Sequence, residues 1–249
     1  MEKTDSEQAC SHASRRGFLK LSGALTAWGM LGAVTLSGVA AADALTRAQR
    51  DAMTPEDILA AMKNGNERFR KGERKNRNYL NEQRASAKGQ YPAAVILSCI
   101  DSRAPAEVIL DLGIGDVFNA RVAGNIQNDD ILGSMEFACK VAGAKVVLVM
   151  GHTACGAIKG AIDNAQLGNL TGLLAKIKPA VSDTVYSGER TAKNEGFVDA
   201  VAKKNVELTI ADIRKRSPVL AEMEKTHAII ITGSMYNLET GAVDFFPLK

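Results

Sequence analysis

The chain has 249 residues, of which 46% are hydrophobic and 24% charged, the proportions of a globular protein able to bury one sizeable core. Its 31 Lys and Arg stand against 28 Asp and Glu, a formal charge of +3; this lacks the basic stripe of a nucleic-acid binder and argues against nucleic acid as a partner. The cysteines, Cys10, Cys99, Cys139 and Cys155, are too sparse for a disulfide-stapled secreted module.

The chain opens with an address. Ser14-Arg15-Arg16-Gly17-Phe18-Leu19-Lys20 places two adjacent arginines before a segment, Leu21 to Ala42, that has no charged residue and is diluted by Gly, Ser and Thr. This reads as a twin-arginine export signal. Ala40-Ala41-Ala42 supplies small residues for cleavage before Asp43, with Ala42-Asp43-Ala44 as a second site. Residues 1–42 are thus expected to be removed, the twin-arginine machinery to be a transient partner, and the mature protein to be periplasmic. The alternative is an uncleaved membrane anchor, since about 20 apolar residues can span a bilayer; the paired arginines and the small-residue exit favour cleavage and no stable anchor. Trp28, the only tryptophan, lies in this segment.

Residues 43–89 read as a helical arm and its connection. Thr54-Pro55-Glu56-Asp57 offers a threonine N-cap, a proline at the first helical position and acids in the first turn, and Ile58, Leu59, Met62 and Phe69 continue at helical spacing. The polar, basic stretch from Lys71 to Arg84 reads as an ordered surface connection.

Residues 90–249 read as an α/β domain. Short β-rich apolar runs at Ala93 to Cys99, Val117 to Val122, Lys145 to Met150 and Ala228 to Thr232 predict buried strands. Helical patterns at Pro105 to Leu112, Ile131 to Ala142, Ala154 to Asn164 and Thr191 to Arg216 alternate with them. Gly241 to Phe246 follows a turn and predicts an antiparallel edge strand. The expected fold is therefore α/β, a mainly parallel four-stranded sheet with an antiparallel edge strand, helices on both faces and an N-terminal helical arm. The alternating Lys, Glu and Arg of the helix from Thr191 to Arg216 predict a solvated face. Its Asn205, Val206, Leu208, Ile210 and Ile213 would pack on the sheet or on a partner.

The chemistry gathers at strand ends. Cys99 closes the first strand, and His152-Thr153-Ala154-Cys155 follows the third, where an open α/β sheet collects its functional groups. Two thiolates and an imidazole are good zinc ligands and leave a fourth tetrahedral position free for chemistry. Cys139, on the apolar face of a helix, reads as core packing. His227, at a strand start, reads as surface or structural. A disulfide between Cys99 and Cys155 is the rival explanation; it would leave His152 and the pair Asp101 and Arg103 without a purpose.

At Cys99-Ile100-Asp101-Ser102-Arg103 followed by His152-Thr153-Ala154-Cys155 the chain resembles the β-class carbonic anhydrases, whose signature is Cys-x-Asp-x-Arg and, further along, His-x-x-Cys. Arg121-Val122-Ala123-Gly124-Asn125, Gly133-Ser134-Met135-Glu136-Phe137, Gly151 to Gly156 and Gly233-Ser234-Met235-Tyr236 match in family order, and the likeness spans Thr54 to Phe246. The resemblance implies one zinc per subunit on Cys99, His152 and Cys155, and a catalytic dyad of Asp101 and Arg103. It also implies substrate-pocket positions at Gln90 and Phe118, and reversible hydration of carbon dioxide to bicarbonate and a proton. Zinc lowers the pKa of bound water towards about 7, and Asp101, kept ionised by Arg103, would orient the zinc-bound hydroxide.

Some family members close the site by taking the aspartate as fourth zinc ligand. They resemble chains with tryptophan three residues before the first cysteine, where this sequence has Ile96, so a plant-like, open site is expected. Phe137 stands where the plant-like enzymes carry tyrosine, so the proton would leave through water or buffer. The resemblance further implies a homodimer or homotetramer with the pocket at the subunit junction. Two alternatives stay open: a hydrolase of a carbon dioxide analogue such as carbonyl sulfide or carbon disulfide, and a non-catalytic zinc- or bicarbonate-binding protein.

Overall fold

The computed structural model of the protein describes residues 44–248, so the expected twin-arginine segment and the cleavage site before Asp43 lie outside the described residues. Among those described, no helix is long and apolar enough to cross a membrane.

Local chemistry starts the arm where the sequence places it. Thr54 caps α2 (Pro55–Lys71) by accepting from the Asp57 amide, Asp57 returns the bond to the Thr54 amide, and Gly72 ends the helix in the left-handed conformation at φ 71°. A shorter helix, α1 (Arg47–Ala52), precedes it behind a capping box of Thr46 and Gln49. The stretch from Lys71 to Arg84 is not connection throughout: α3 (Tyr79–Ser86) begins inside it, capped by Asn78.

The strands are β1 (Ala94–Ser98), β2 (Val117–Arg121), β3 (Val146–His152), β4 (Ile230–Tyr236) and β5 (Val243–Phe245). They form one sheet in the order β2-β1-β3-β4-β5, with the first four parallel and β5 antiparallel to β4. This is the expected parallel sheet with its antiparallel edge. β4 runs on past Thr232 to Tyr236, because Ser234 to Tyr236 find hydrogen-bonding partners on both sides, in β3 and in β5.

Period-two alternation assigns each strand residue to a face. Val95, Leu97, Val147 and Val149 point to one layer, where they meet Met135, Val206, Ile210, Ile213 and Leu220. Ala94, Ile96, Val146, Leu148 and Met150 point to the other, where they meet Ile58, Leu59, Met62 and Ile109. Helices α5 (Asp129–Glu136), α9 (Glu195–Arg216) and α10 (Pro218–Lys225) supply the first layer; α2 and the short α4 (Ala106–Ile109) supply the second. A third cluster, from α6 (Gly156–Ile162), α7 (Gly168–Ala175), α8 (Lys178–Asp183) and the start of α9, surrounds Cys99 and Cys155 at the carboxyl ends of β1 and β3.

Several helices are shorter or less regular than their sequence patterns. The helix expected over Pro105 to Leu112 is confined to α4, because Asp111 turns left-handed at φ 51°. The pattern from Ile131 to Ala142 is α5 followed by a π-helical turn, Phe137–Val141, which carries Cys139 into the core. Burial pushes the Cys139 thiol up to about 12. The pattern from Thr191 becomes helix only at Glu195, where Asn194 caps α9. His227 sits exposed in a turn, at φ 57°, just before β4.

A charged network fastens the arm to the sheet. Arg77 Nη1 donates to Glu82 Oε1 at 2.9 Å with both side chains buried, and Arg77 Nη2 reaches Asp116 and the Asp111 carbonyl. Arg68 Nε meets Asp111 Oδ2 at 2.6 Å, and Glu82 Oε2 accepts from the Ile114 amide. Removing one charge of a buried pair strands the other. Glu82→Gln would leave the buried Arg77 with Asp116 as its carboxylate partner, and should lower the unfolding free energy by up to about 3–5 kcal/mol, read as a fall in the urea midpoint at unchanged m-value; a midpoint equal to that of the parent would show that Asp116 suffices for Arg77.

Candidate metal centre

Parallel pairing of β1 with β3 sets the site. Ser98 is aligned with Met150, so the next residues along both strands, Cys99 on one side and Gly151 and His152 on the other, emerge together. Ala154, left-handed at φ 52°, turns the chain between His152 and Cys155, and Cys155 stands as the residue before α6. The sulfurs of Cys99 and Cys155 and a ring nitrogen of His152 all lie within 4.8 Å of one another, and all three residues are buried.

The sulfurs are 4.0 Å apart and both cysteines are free; a disulfide would require about 2.05 Å, which removes the disulfide reading. The two thiols share a hydrogen bond. It is the leading cause that holds Cys99 well below the ordinary thiol range against burial, and the same bond together with burial pushes Cys155 up. Burial pulls the His152 imidazole down, but the neighbouring Cys99 sulfur, the Thr153 carbonyl and the nearby charge of Asp101 leave it raised.

The imidazole is presented for ligation. His152 Nδ1 lies 2.9 Å from the Thr153 carbonyl, a contact that places the proton on Nδ1 and leaves the Nε2 lone pair free. Nε2 is buried and has no hydrogen-bond partner among the described residues. A buried nitrogen without a partner is costly, and here it faces two sulfurs. Two soft sulfurs and one imidazole suit zinc, whose bonds of about 2.0–2.3 Å would need only a modest contraction of this cluster.

Asp101 borders the same point. Its Oδ2 lies 3.8 Å from His152 Nε2, while Arg103 Nε donates to Oδ1 at 3.0 Å and Nη2 to Oδ2 at 2.8 Å. The Arg103 amide adds a third bond to Oδ1 at 2.9 Å. The side-chain bonds from Arg103 are the main reason the Asp101 carboxyl is held far below the ordinary carboxylate range.

Residues outside the sequence-derived set complete the surroundings. Arg121, at the end of β2, donates Nε to the Cys99 carbonyl at 2.9 Å and Nη2 to the Asp101 carbonyl at 2.6 Å, so it clamps the loop that carries both. The Gly124 amide donates to the Cys99 sulfur at 3.3 Å. Both lie in the Arg121 to Asn125 run, so the motif held the signal although it did not reveal their roles.

Gln90 and Phe118 are not brought to this cluster within one chain. Gln90 is exposed in the loop before β1, at the opposite end of that strand from Cys99. Phe118, near the start of β2, packs edge-on to Phe137 at 6.2 Å. The two rings line an open hollow of about 660 Å³ along β2, with Asn119, Asp130 and Ser134.

An α/β fold with a Cys-His-Cys cluster at adjacent strand ends defines a class: enzymes that gather a metal where parallel strands finish. A profile described as carbonic anhydrase matches residues 94–243. Carbonic anhydrase 2 of Mycobacterium tuberculosis is 36% identical over 189 residues, 75% of this chain and 90% of that protein. The crystal structure of the β-carbonic anhydrase CafA of Aspergillus fumigatus superposes with a TM-score of 0.59 at 28% identity, covering 65% of this chain and 78% of that one. A structure from a study of two tetrameric β-carbonic anhydrases of Sordaria macrospora gives 0.57 at 25% identity, covering 64% and 83%. The chain belongs to the carbonic anhydrase family, in its β class.

The donor set predicts its own stoichiometry. The purified chain should carry about one zinc, and His152→Ala or Cys155→Ser should reduce it to a small fraction, measured by elemental analysis; zinc retained in both variants would place the ion elsewhere.

Proposed function

We propose that the protein catalyses reversible hydration of carbon dioxide to bicarbonate and a proton at a zinc ion held by Cys99, His152 and Cys155. The observation that carries this reading is the convergence of those three donors beside a carboxylate oxygen already engaged by an arginine. Zinc at this point would supply a Lewis acid able to acidify water to near-neutral pH.

The remaining chemistry belongs to the chain. Asp101, with Oδ1 accepting twice from Arg103 and Oδ2 once, keeps a lone pair of Oδ2 turned towards the cluster. There it would accept a hydrogen from the attacking oxygen and direct that oxygen's free lone pair at the carbon of CO2. Arg103 keeps the carboxylate charged and holds it back from the metal. This geometry supports the open, plant-like type, as does Ile96 on β1. Phe137, half exposed, has no hydroxyl to relay a proton, so the proton leaves through water or buffer.

The reading extends to assembly and location. Gln90 and Phe118 would serve the pocket from a neighbouring subunit in a dimer or tetramer, in line with the tetrameric relatives of Sordaria macrospora. Export by the twin-arginine pathway to the periplasm, with loss of residues 1–42, rests on Arg15, Arg16 and the alanines before Asp43.

Two measurements check this. In a stopped-flow hydration assay, Asp101→Ala should reduce kcat/KM by about 10²-fold or more with zinc content unchanged; full activity would remove the role given to Asp101, and an inactive, zinc-loaded parent would favour a binding protein. The exported protein should show no tryptophan emission, since Trp28 would leave with the signal; tryptophan emission from the periplasmic fraction would show that the signal stays attached.

A further inference from the structure

Helix α9 sends two polar side chains, Asp199 and Asn205, towards the candidate metal centre from a mainly apolar face. Phe197, Val198, Val201 and Val206 are fully buried on it, and between them Asn205 is 3% exposed. A buried carboxamide in such a stripe is costly unless its bonds are made. Asn205 Nδ2 donates to the Gly124 carbonyl at 2.8 Å, and the amide of the same glycine donates to the Cys99 sulfur. Gly124 is left-handed at φ 70°, and a Cβ there would come within 2.6 Å of Ile177 Cδ1. The turn is therefore confined by α8 and its approach on one side and tied to α9 on the other.

Earlier on the same helix, Asp199 Oδ1 accepts from the Ala154 amide at 2.9 Å. Ala154 is the left-handed residue between His152 and Cys155, a conformation that non-glycine residues adopt only when their surroundings impose it. One rigid helix thus holds the backbone beside Cys99 through Asn205 and the backbone between His152 and Cys155 through Asp199.

We infer that Asp199 and Asn205 are positioning residues of the metal centre, α9 acting as a common brace that sets the spacing of the two ligand-bearing segments. This rests on the reading that Cys99, His152 and Cys155 hold a metal. Neither residue touches that metal or the substrate; each acts through a main-chain group next to a ligand. Outer-shell partners of this kind commonly carry 10–100-fold in metal affinity.

The test uses the full chain, with zinc affinity measured by competition against a chromophoric chelator and ligand geometry read from the thiolate-to-cobalt and d–d absorption bands of the cobalt-substituted form. Asn205→Ser, Asn205→Asp and Asp199→Ala should each weaken zinc binding by about 10–100-fold and shift the cobalt bands. Asp199→Asn keeps an acceptor oxygen and should retain both parental values. Ile213→Ala, a buried change further along α9, should lower Tm without moving either reading, which separates positioning from loss of stability. Parental affinity and spectrum in both Asn205→Ser and Asp199→Ala would overturn the inference alone. A parent chain that takes up neither ion would overturn the proposed function and this inference with it.

Discussion

The parallel pairing of β1 with β3 is the constraint on which the site depends. Cys99 and His152 are far apart in sequence, and only the register that aligns Ser98 with Met150 brings their strand ends side by side. Each strand is buried on both faces, so a slip by one residue would exchange Val95 and Leu97 with Ala94 and Ile96 between two differently filled layers. The packing that selects the fold therefore also selects the distance between these side chains.

Around that pairing the protein uses main-chain geometry more than extra side chains. Arg121 grips two carbonyls of the loop that carries Cys99 and Asp101, and Arg103 reaches back two residues to lock the Asp101 carboxylate. Three hydrogen bonds from Arg103 thus hold that carboxylate in one orientation. Comparable economy appears in the arm, where Arg77 and Glu82 are buried together and Lys145 Nζ donates to the carbonyls of Asp51 and Met53. These bonds set where the arm leaves the sheet.

The strands, the α2 cap at Thr54 and the metal triad were legible because each depends on local pattern or on residue chemistry. Continuous β-rich apolar runs marked β1 and β3, and Thr-Pro-Glu-Asp marked a helix start. Less regular elements escaped. Helix α7 carries weak apolar periodicity, and α3 lies in a polar run whose order comes from Asn78 and from Glu82 bound to Arg77. Asn205 was visible as a polar residue in an apolar stripe, yet its partner, the Gly124 carbonyl, is 81 residues away, and no local pattern encodes that.

By itself the sequence determined the fold class and picked out Cys99, His152 and Cys155 as one set of donors with the carboxylate-arginine pair beside them, since spacing and chemical type suffice for these. Tertiary structure alone decided that the sulfurs stand 4.0 Å apart and not as a disulfide, that Arg103 holds both oxygens of Asp101, and that Gln90 and Phe118 lie away from the cluster of their own chain. The reason is physical: residue type fixes what a group can do, whereas the partner it meets is set by sheet register and helix packing, which sum contributions from the whole core.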